Sequence, residues 1–135
     1  MFAKHLSIED GDAYELVTDP EWSRVGEAIK EMNGKEHTVI CLQGESKIHM
    51  TIGGGPDVFV VYASDDDETF YTAFDPGQGG GSADLNVGRQ TNKYPLELLV
   101  GKDVVLKAAK LFAEKGELDP NVNWRSTEDV PPSKT

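Results

Sequence analysis

The sequence has few of the residues that would anchor it by disulfide bonds or in a membrane. Its single cysteine, Cys41, leaves no partner for an intrachain disulfide, so we expect a reducing compartment such as the cytoplasm. The longest apolar run, Val58 to Ala63, is far shorter than the about 20 residues that a membrane-spanning helix needs. The N-terminal segment becomes acidic at Glu9, before an apolar core long enough for a signal peptide. We therefore expect neither membrane contact nor export.

Basic residues are also scarce. The chain has 13 lysines and arginines against 24 aspartates and glutamates, which gives a formal net charge of −11. Such an excess repels the phosphates of nucleic acids and of anionic membranes, so neither is an expected direct ligand. The same charge favours a basic partner, and it also suits plain solubility. Charge alone leaves both explanations open.

The length and the composition are those of one globular unit. A chain of 135 residues with 38% hydrophobic residues is long enough to bury one core. We predict a single domain over residues 1–125. The last ten residues, 126–135, offer little to bury, so we predict a disordered tail there.

Two segments have the apolar periodicity of amphipathic helices. The first is predicted near Pro20–Asn33, with Asp19 as N-cap and Gly34 as the residue that ends it. The second is predicted at Lys102–Lys115, with Gly116 as C-cap. The predicted apolar stripes consist of Trp22, Val25, Ile29 and Met32 in the first helix and of Val105, Ala108, Ala109 and Phe112 in the second.

Between these helices, alternating and continuous apolar runs predict about five strands from Lys35 to Gly88. Short connections between successive strands favour an antiparallel meander. We therefore predict an α+β fold, with a mainly antiparallel sheet of about five strands flanked by two helices. The predicted strand segments are His37–Gln43, Lys47–Ile52, Asp57–Ala63, Glu68–Asp75 and Ala83–Gly88, and the side chains predicted to be buried are Trp22, Ile29, Val60, Phe74, Leu85 and Phe112.

Four consecutive acidic residues, Asp65 to Glu68, stand between two of the predicted strands. A metal site, a solvated turn and a docking patch for a basic partner are the competing interpretations. The run lacks the glycine and the ligand spacing of a calcium loop. Its place between two strands predicts a hairpin tip, and docking onto a basic partner remains a second hypothesis for the same residues.

Other chemistry finds little support in the sequence. The glycine-rich loop Pro76–Ser82 is followed by a predicted strand and by no lysine, unlike a phosphate-binding loop. The three histidines lack the spacing of zinc ligands, and no nucleophile motif is present. We predict a binding protein without catalytic residues, metal or cofactor. The alternatives are a small enzyme of unknown chemistry and an adaptor or chaperone-like protein of a secretion system.

The segment from Leu85 to Trp124 contains a spaced set of glycine, proline, aromatic, aliphatic and polar residues. These are Val87, Gly88, Gln90, Tyr94, Pro95, Phe112, Gly116, Asp119, Pro120 and Trp124. This pattern resembles the first-numbered ("Imm-one") immunity-protein family of bacterial polymorphic toxin systems. Upstream segments of similar type extend the likeness to about Met50. One departure is Arg89, where the family usually has glycine.

The resemblance implies a partner. Members of this family bind a toxin encoded by a neighbouring gene, often a nucleic-acid cytidine deaminase, and neutralise it by blocking the active site or the nucleic-acid groove. Because members face different toxins, shared residues such as Gly88, Tyr94, Pro95 and Trp124 are expected to hold the fold. The residues predicted to contact the toxin are Asp65, Asp66, Asp67, Glu68, Tyr71, Gly79, Gly80, Gly81, Arg89 and Gln90.

Overall fold

The computed structural model describes residues 2–10, 13–45, 47–64, 69–75, 77, 80–88 and 90–126. These residues form nine strands and two α-helices. In chain order the elements are β1 (His5–Asp10), β2 (Ala13–Thr18), α1 (Trp22–Glu31), β3 (Val39–Gln43), β4 (His49–Gly54), β5 (Phe59–Ser64), β6 (Phe70–Ala73), β7 (Ser82–Val87), β8 (Gln90–Pro95), α2 (Lys102–Lys115) and β9 (Trp124–Ser126), with a 3₁₀ turn at Leu96–Leu98 between β8 and α2.

Seven strands form one antiparallel sheet in the order β2-β1-β3-β4-β5-β6-β9. The predicted α+β class is confirmed, and so is the antiparallel meander from β3 to β6. The predicted fifth strand of that meander was placed wrongly, because β7 pairs with β8 in a separate two-stranded sheet. The position beside β6 is taken by β9, whose Trp124 lies opposite Ala73. The first residue of the predicted tail, Ser126, is the last residue of β9, and residues 127–135 lie outside the described part of the chain.

The two helices differ in how well their ends follow the sequence signals. Helix α2 has the predicted bounds, and Gly116 caps it in the left-handed conformation (φ +72°) with its N–H bonded to the Phe112 carbonyl at 2.8 Å. The start predicted for α1 was wrong. Its N-cap is Glu21, whereas Asp19 has φ 51° and donates its backbone N–H to the Lys4 carbonyl at 2.8 Å. That bond to a distant residue holds Asp19 outside the helix.

Both helices contribute to the main hydrophobic core, together with one face of the seven-stranded sheet. Of the side chains predicted to be buried, Trp22 and Phe74 are only half-buried. Trp22 is the first residue of α1 and lies beside Gly26, and Phe74 stacks on the guanidinium of Arg125 at 4.6 Å from the ring centroid. The other four are buried as predicted, namely Ile29, Val60, Leu85 and Phe112.

The hairpin β7–β8 covers part of the opposite face of the sheet. Its apolar side chains form a second, smaller core with Val60 of β5. Two glycines of β4 make this approach close. A Cβ atom on Gly53 would lie 2.5 Å from Val87 Cγ1, and one on Gly54 would lie 2.8 Å from Leu85 Cδ1. The hairpin packs on the sheet because neither position carries a side chain.

A buried carboxyl group ties the turn of this hairpin to the sheet. Glu9 of β1 is 1% exposed, and its Oε1 accepts hydrogen bonds from the Thr38 backbone N–H (2.8 Å) and from the Thr38 hydroxyl. The hydroxyl oxygen in turn accepts the Gly88 N–H at 2.9 Å. Nearby, the Asn86 side-chain amide donates to the Gly34 carbonyl at 3.1 Å. Buried polar groups require such partners, so these bonds fix where the β7–β8 turn lies.

Removal of the Phe112 ring should destabilise the whole domain. The side chain is 2% exposed and packs edge-to-face on Phe2, with ring centroids 5.7 Å apart. We expect Phe112→Ala to lower the free energy of unfolding by about 3–5 kcal/mol, a large share of the about 5–15 kcal/mol typical of a domain. Chemical denaturation measures this, with Val58→Ala as an exposed control. An equal, small change in both variants would contradict the assignment of Phe112 to the core.

Removal of the Thr38 hydroxyl should loosen the turn of the β7–β8 hairpin. Thr38→Val keeps the shape of the side chain but deletes one donor to Glu9 and the acceptor of the Gly88 N–H. We expect the free energy of unfolding to fall by about 1–3 kcal/mol, because buried polar groups lose partners. The control is Thr91→Val on the exposed strand β8, expected within about 0.5 kcal/mol of the parent protein. Equal stability of the two variants would show that the network contributes nothing.

Candidate interaction site

The sheet face turned away from the helices carries mostly hydroxyl, amide and imidazole side chains. Directly opposed residues on adjacent strands share a face, so the register defines this surface. One row crosses six neighbouring strands through Ser7, Cys41, Thr51, Tyr62 and Thr72, beginning at Leu16. The next row passes through Gln43 and His49. We call this surface the polar face, defined by Ser7, Cys41, Gln43, His49, Thr51, Tyr62, Phe70 and Thr72.

An aromatic group occupies the end of the polar face nearest the β5–β6 connection. The ring of Phe70 meets His49 and Tyr62 edge-to-face, at centroid distances of 6.0 and 6.1 Å. All three side chains are half-buried. Partly exposed aromatic rings held by one another are typical of contact surfaces, because they offer large area at small cost in conformational entropy.

Two side chains on this side of the molecule have pKa values shifted by burial. Burial raises the pKa of the Cys41 thiol, and a hydrogen bond from the Thr51 hydroxyl, at 3.8 Å, opposes the shift. Burial also raises the pKa of Tyr94, with a smaller contribution from the neighbouring Tyr62. Both groups therefore stay neutral at pH 7, so the thiol is a weak nucleophile.

An ion pair at the end of the sheet shifts the pKa values of two further groups. The guanidinium of Arg125 in β9 donates a hydrogen bond to Glu97 at 2.8 Å. That bond lowers the pKa of Glu97 and raises that of Arg125. The same guanidinium stacks on Phe74. The pair connects the 3₁₀ turn to the edge strand, which is a structural task. The groups with shifted pKa values thus lie at separate places on the molecule.

Within the part of the chain that the structure describes, no three His, Cys, Asp or Glu side chains are grouped so that they could hold a metal ion. Neither described helix is long and apolar enough to cross a membrane.

The residues predicted to contact a partner fall into several places. Asp65, Asp66, Asp67, Glu68, Gly79 and Arg89 lie outside the described residues. The strands that flank the acidic run do pair antiparallel, with Ser64 opposite Phe70. Tyr71 lies on the other side of the sheet from the polar face, because it alternates with Phe70 and Thr72. There it lines a cleft formed mainly by Ile48, Ala63, Phe112 and Leu118.

The remaining predicted contacts lie at the two ends of the β7–β8 hairpin. Gly80 and Gly81 precede β7, and Gln90 begins β8 beside the turn, where it pairs with Val87. A six-residue strand spans about 17 Å, so these residues are not brought together. Gly81 has φ +106° and its carbonyl accepts the Leu96 N–H at 3.1 Å. That bond closes the open end of the hairpin.

One exposed feature was not predicted from the sequence. The N-terminal hairpin β1–β2 extends the sheet and carries Tyr14 and Leu16, which are 62% and 65% exposed. A signal was present, because Leu6 and Ile8 alternate with His5 and Ser7 as a half-buried strand requires. We call the outer edge of β2, with the side chains of Tyr14 and Leu16 beside it, the β2 edge.

Several residues of the family pattern hold the fold, as the resemblance implied. Phe112 is in the main core, Gly116 caps α2, and Tyr94 packs in the smaller core. The indole N–H of Trp124 donates to the Asp119 carbonyl at 2.9 Å, and the Asp119 carboxylate accepts the Asn121 N–H at 2.8 Å. These bonds set the path of the chain into β9.

Comparison with known proteins identifies the family of this chain. No curated protein matches the sequence. The family model of immunity protein Imm1 matches residues 15–126, which begin within β2 and end at the last residue of β9. The match extends further towards the N-terminus than the resemblance from about Met50, and it covers most of the chain. The chain therefore belongs to the Imm1 family of immunity proteins.

Proposed function

We propose that this protein binds a toxin encoded by a neighbouring gene, a nucleic-acid cytidine deaminase, and blocks its active site or nucleic-acid groove. Membership of the Imm1 family is the observation that carries the proposal. In this function the protein is an inhibitor in the cytoplasm and not an enzyme. Such an inhibitor requires a rigid scaffold, a few anchoring side chains and a charge complementary to that of the toxin.

The charge of the chain supports this function. A toxin that acts on nucleic acid needs a basic groove for the phosphates of its substrate. A protein with a net charge of −11 is attracted to such a groove over about one Debye length, which grows from about 8 Å at physiological salt to about 30 Å at 0.01 M salt. Carboxylates can then occupy the positions of the phosphates and exclude the substrate. Complementary charge of this kind mainly raises the association rate.

The acidic run Asp65–Glu68 is the first candidate for this contact. It connects β5 to β6, and the strand ends that flank it carry Phe70 of the aromatic group on the polar face. Phe70 follows Glu68 by two residues in the sequence, so a toxin that docks onto the acidic run could also reach the aromatic group. The glycine-rich loop, which includes Gly79, Gly80 and Gly81, is the second candidate.

Neutralising the acidic run should slow toxin binding. In the test variant Asp65, Asp66 and Asp67 become Asn and Glu68 becomes Gln. We expect a lower association rate with the catalytically inactive toxin domain. The difference should be clearest at low salt, because added salt screens the long-range attraction between the carboxylates and the toxin. Stopped-flow or surface-based kinetics at two salt concentrations measure it. If the run is buried in the groove, dissociation should also accelerate and affinity should fall by about 2–5 kcal/mol.

A matched control shows whether a slower association depends on the position of the neutralised carboxylates or only on the net charge of the protein. The control variant neutralises four exposed carboxylates elsewhere, Glu31, Asp57, Glu114 and Glu117, and so has the same net charge as the test variant. Equal association rates for the two variants would remove the acidic run from the interface and leave the glycine-rich loop as the candidate. If no toxin encoded beside this chain binds it, the proposed function is wrong.

A further inference from the structure

Among the described residues, β2 is the longer of the two edge strands of the seven-stranded sheet. Strand β2 is the first in the strand order and has six residues, whereas β9 at the other edge has three. Among the described residues, β1 is the strand that pairs with β2. In an edge strand every second residue directs its N–H and C=O groups outwards without a strand partner. Proteins usually cover or charge such an edge, since it pairs readily with another chain.

On the side of the polar face, the side chains at the centre of this edge are apolar. Tyr14 and Leu16 are two of the three exposed large hydrophobic side chains in the described part of the chain, and the third, Val58, is only 37% exposed. The register puts Leu16 opposite Ser7 and Tyr14 opposite Glu9, so both project on the side of the polar face. The apolar pair and the free backbone groups therefore lie next to each other.

Contacts to α1 and β1 hold the strand in place. Glu15 points to the helix side, where its carboxylate pairs with Arg24 at 3.1 Å. Immediately after β2, the Asp19 N–H bonds to the Lys4 carbonyl. A preformed strand loses little conformational entropy when a partner binds, so the edge is suited to recognition.

The charge around the β2 edge indicates what kind of partner can bind there. Residues 9–21 contain six acidic residues and no basic one. Of these, Glu15, Asp19 and Glu21 are exposed, and Arg24 is already paired with Glu15 and Glu27. A second copy of the chain would bring two acidic edges together, which is unfavourable. An extended segment with basic residues is complementary in charge.

We propose that the β2 edge binds an extended, basic segment of the toxin, which adds an eighth strand to the sheet. Backbone hydrogen bonds to β2 would supply affinity, and Tyr14 and Leu16 would contact alternate apolar side chains of the added strand. This inference rests on the proposed function, because its occupant is part of the toxin.

Hydrogen–deuterium exchange with the catalytically inactive toxin domain tests the pairing directly. We expect exchange of the backbone amides in residues 13–18 to slow by about tenfold or more in the complex, because outward N–H groups gain acceptors. The double variant Tyr14→Ser, Leu16→Ser should bind about tenfold more weakly, as expected for anchoring side chains. Val58→Ser is the control for loss of an exposed apolar side chain and should bind like the parent protein.

The outcomes separate this inference from the proposed function. If the parent protein binds the toxin, but the amides of β2 exchange as in the free protein and the double variant binds normally, the edge proposal is wrong and the immunity function stands. If the parent protein does not bind, both are wrong. If the free protein is already a dimer with protected β2 amides, a second copy occupies the edge and the proposal is overturned. Equal thermal midpoints would confirm that the variants fold.

Discussion

The close approach of the β7–β8 hairpin to Gly53 and Gly54 determines how the second face of the sheet is built. Side-chain atoms of Val87 and Leu85 occupy the space that Cβ atoms would take. Any larger residue at position 53 would lift the hairpin and expose the small core around Val60 and Leu85. The hydrogen bond from the Gly88 N–H to the Thr38 hydroxyl oxygen would then be lost.

The two faces of the sheet consequently have different tasks. One face is packed against α1 and α2, and its alternating apolar residues make the main core. The other is only partly covered by the hairpin, so its strands carry Ser7, Thr51 and Thr72 instead of aliphatic side chains. The packed helices therefore support the sheet from one side, while the polar side chains lie on the other.

Local signals predicted the parts of the fold that depend on neighbouring residues. Helix α2 has its predicted bounds because its periodicity and the left-handed Gly116 both act within one or two turns. The meander β3–β6 was predictable because each strand pairs with the next along the chain. The start of α1 was not, since Asp19 is held by a bond to Lys4, fifteen residues earlier in the chain. For the candidate site, the acidic run and the charge were visible in the sequence, whereas the β2 edge was not.

The sequence by itself determined the charge, the helices, the alternation of the central strands and the family pattern from Val87 to Trp124. Tertiary structure alone decided that β9 and not β7 lies beside β6, and that β2 is an edge strand in the described part of the sheet. The reason is physical. Periodicity shows which side of a strand is apolar, but the neighbour of a strand depends on which distant segments bury those apolar sides best. That choice is made by the packing of the whole core, as in the pairing of Ala73 with Trp124.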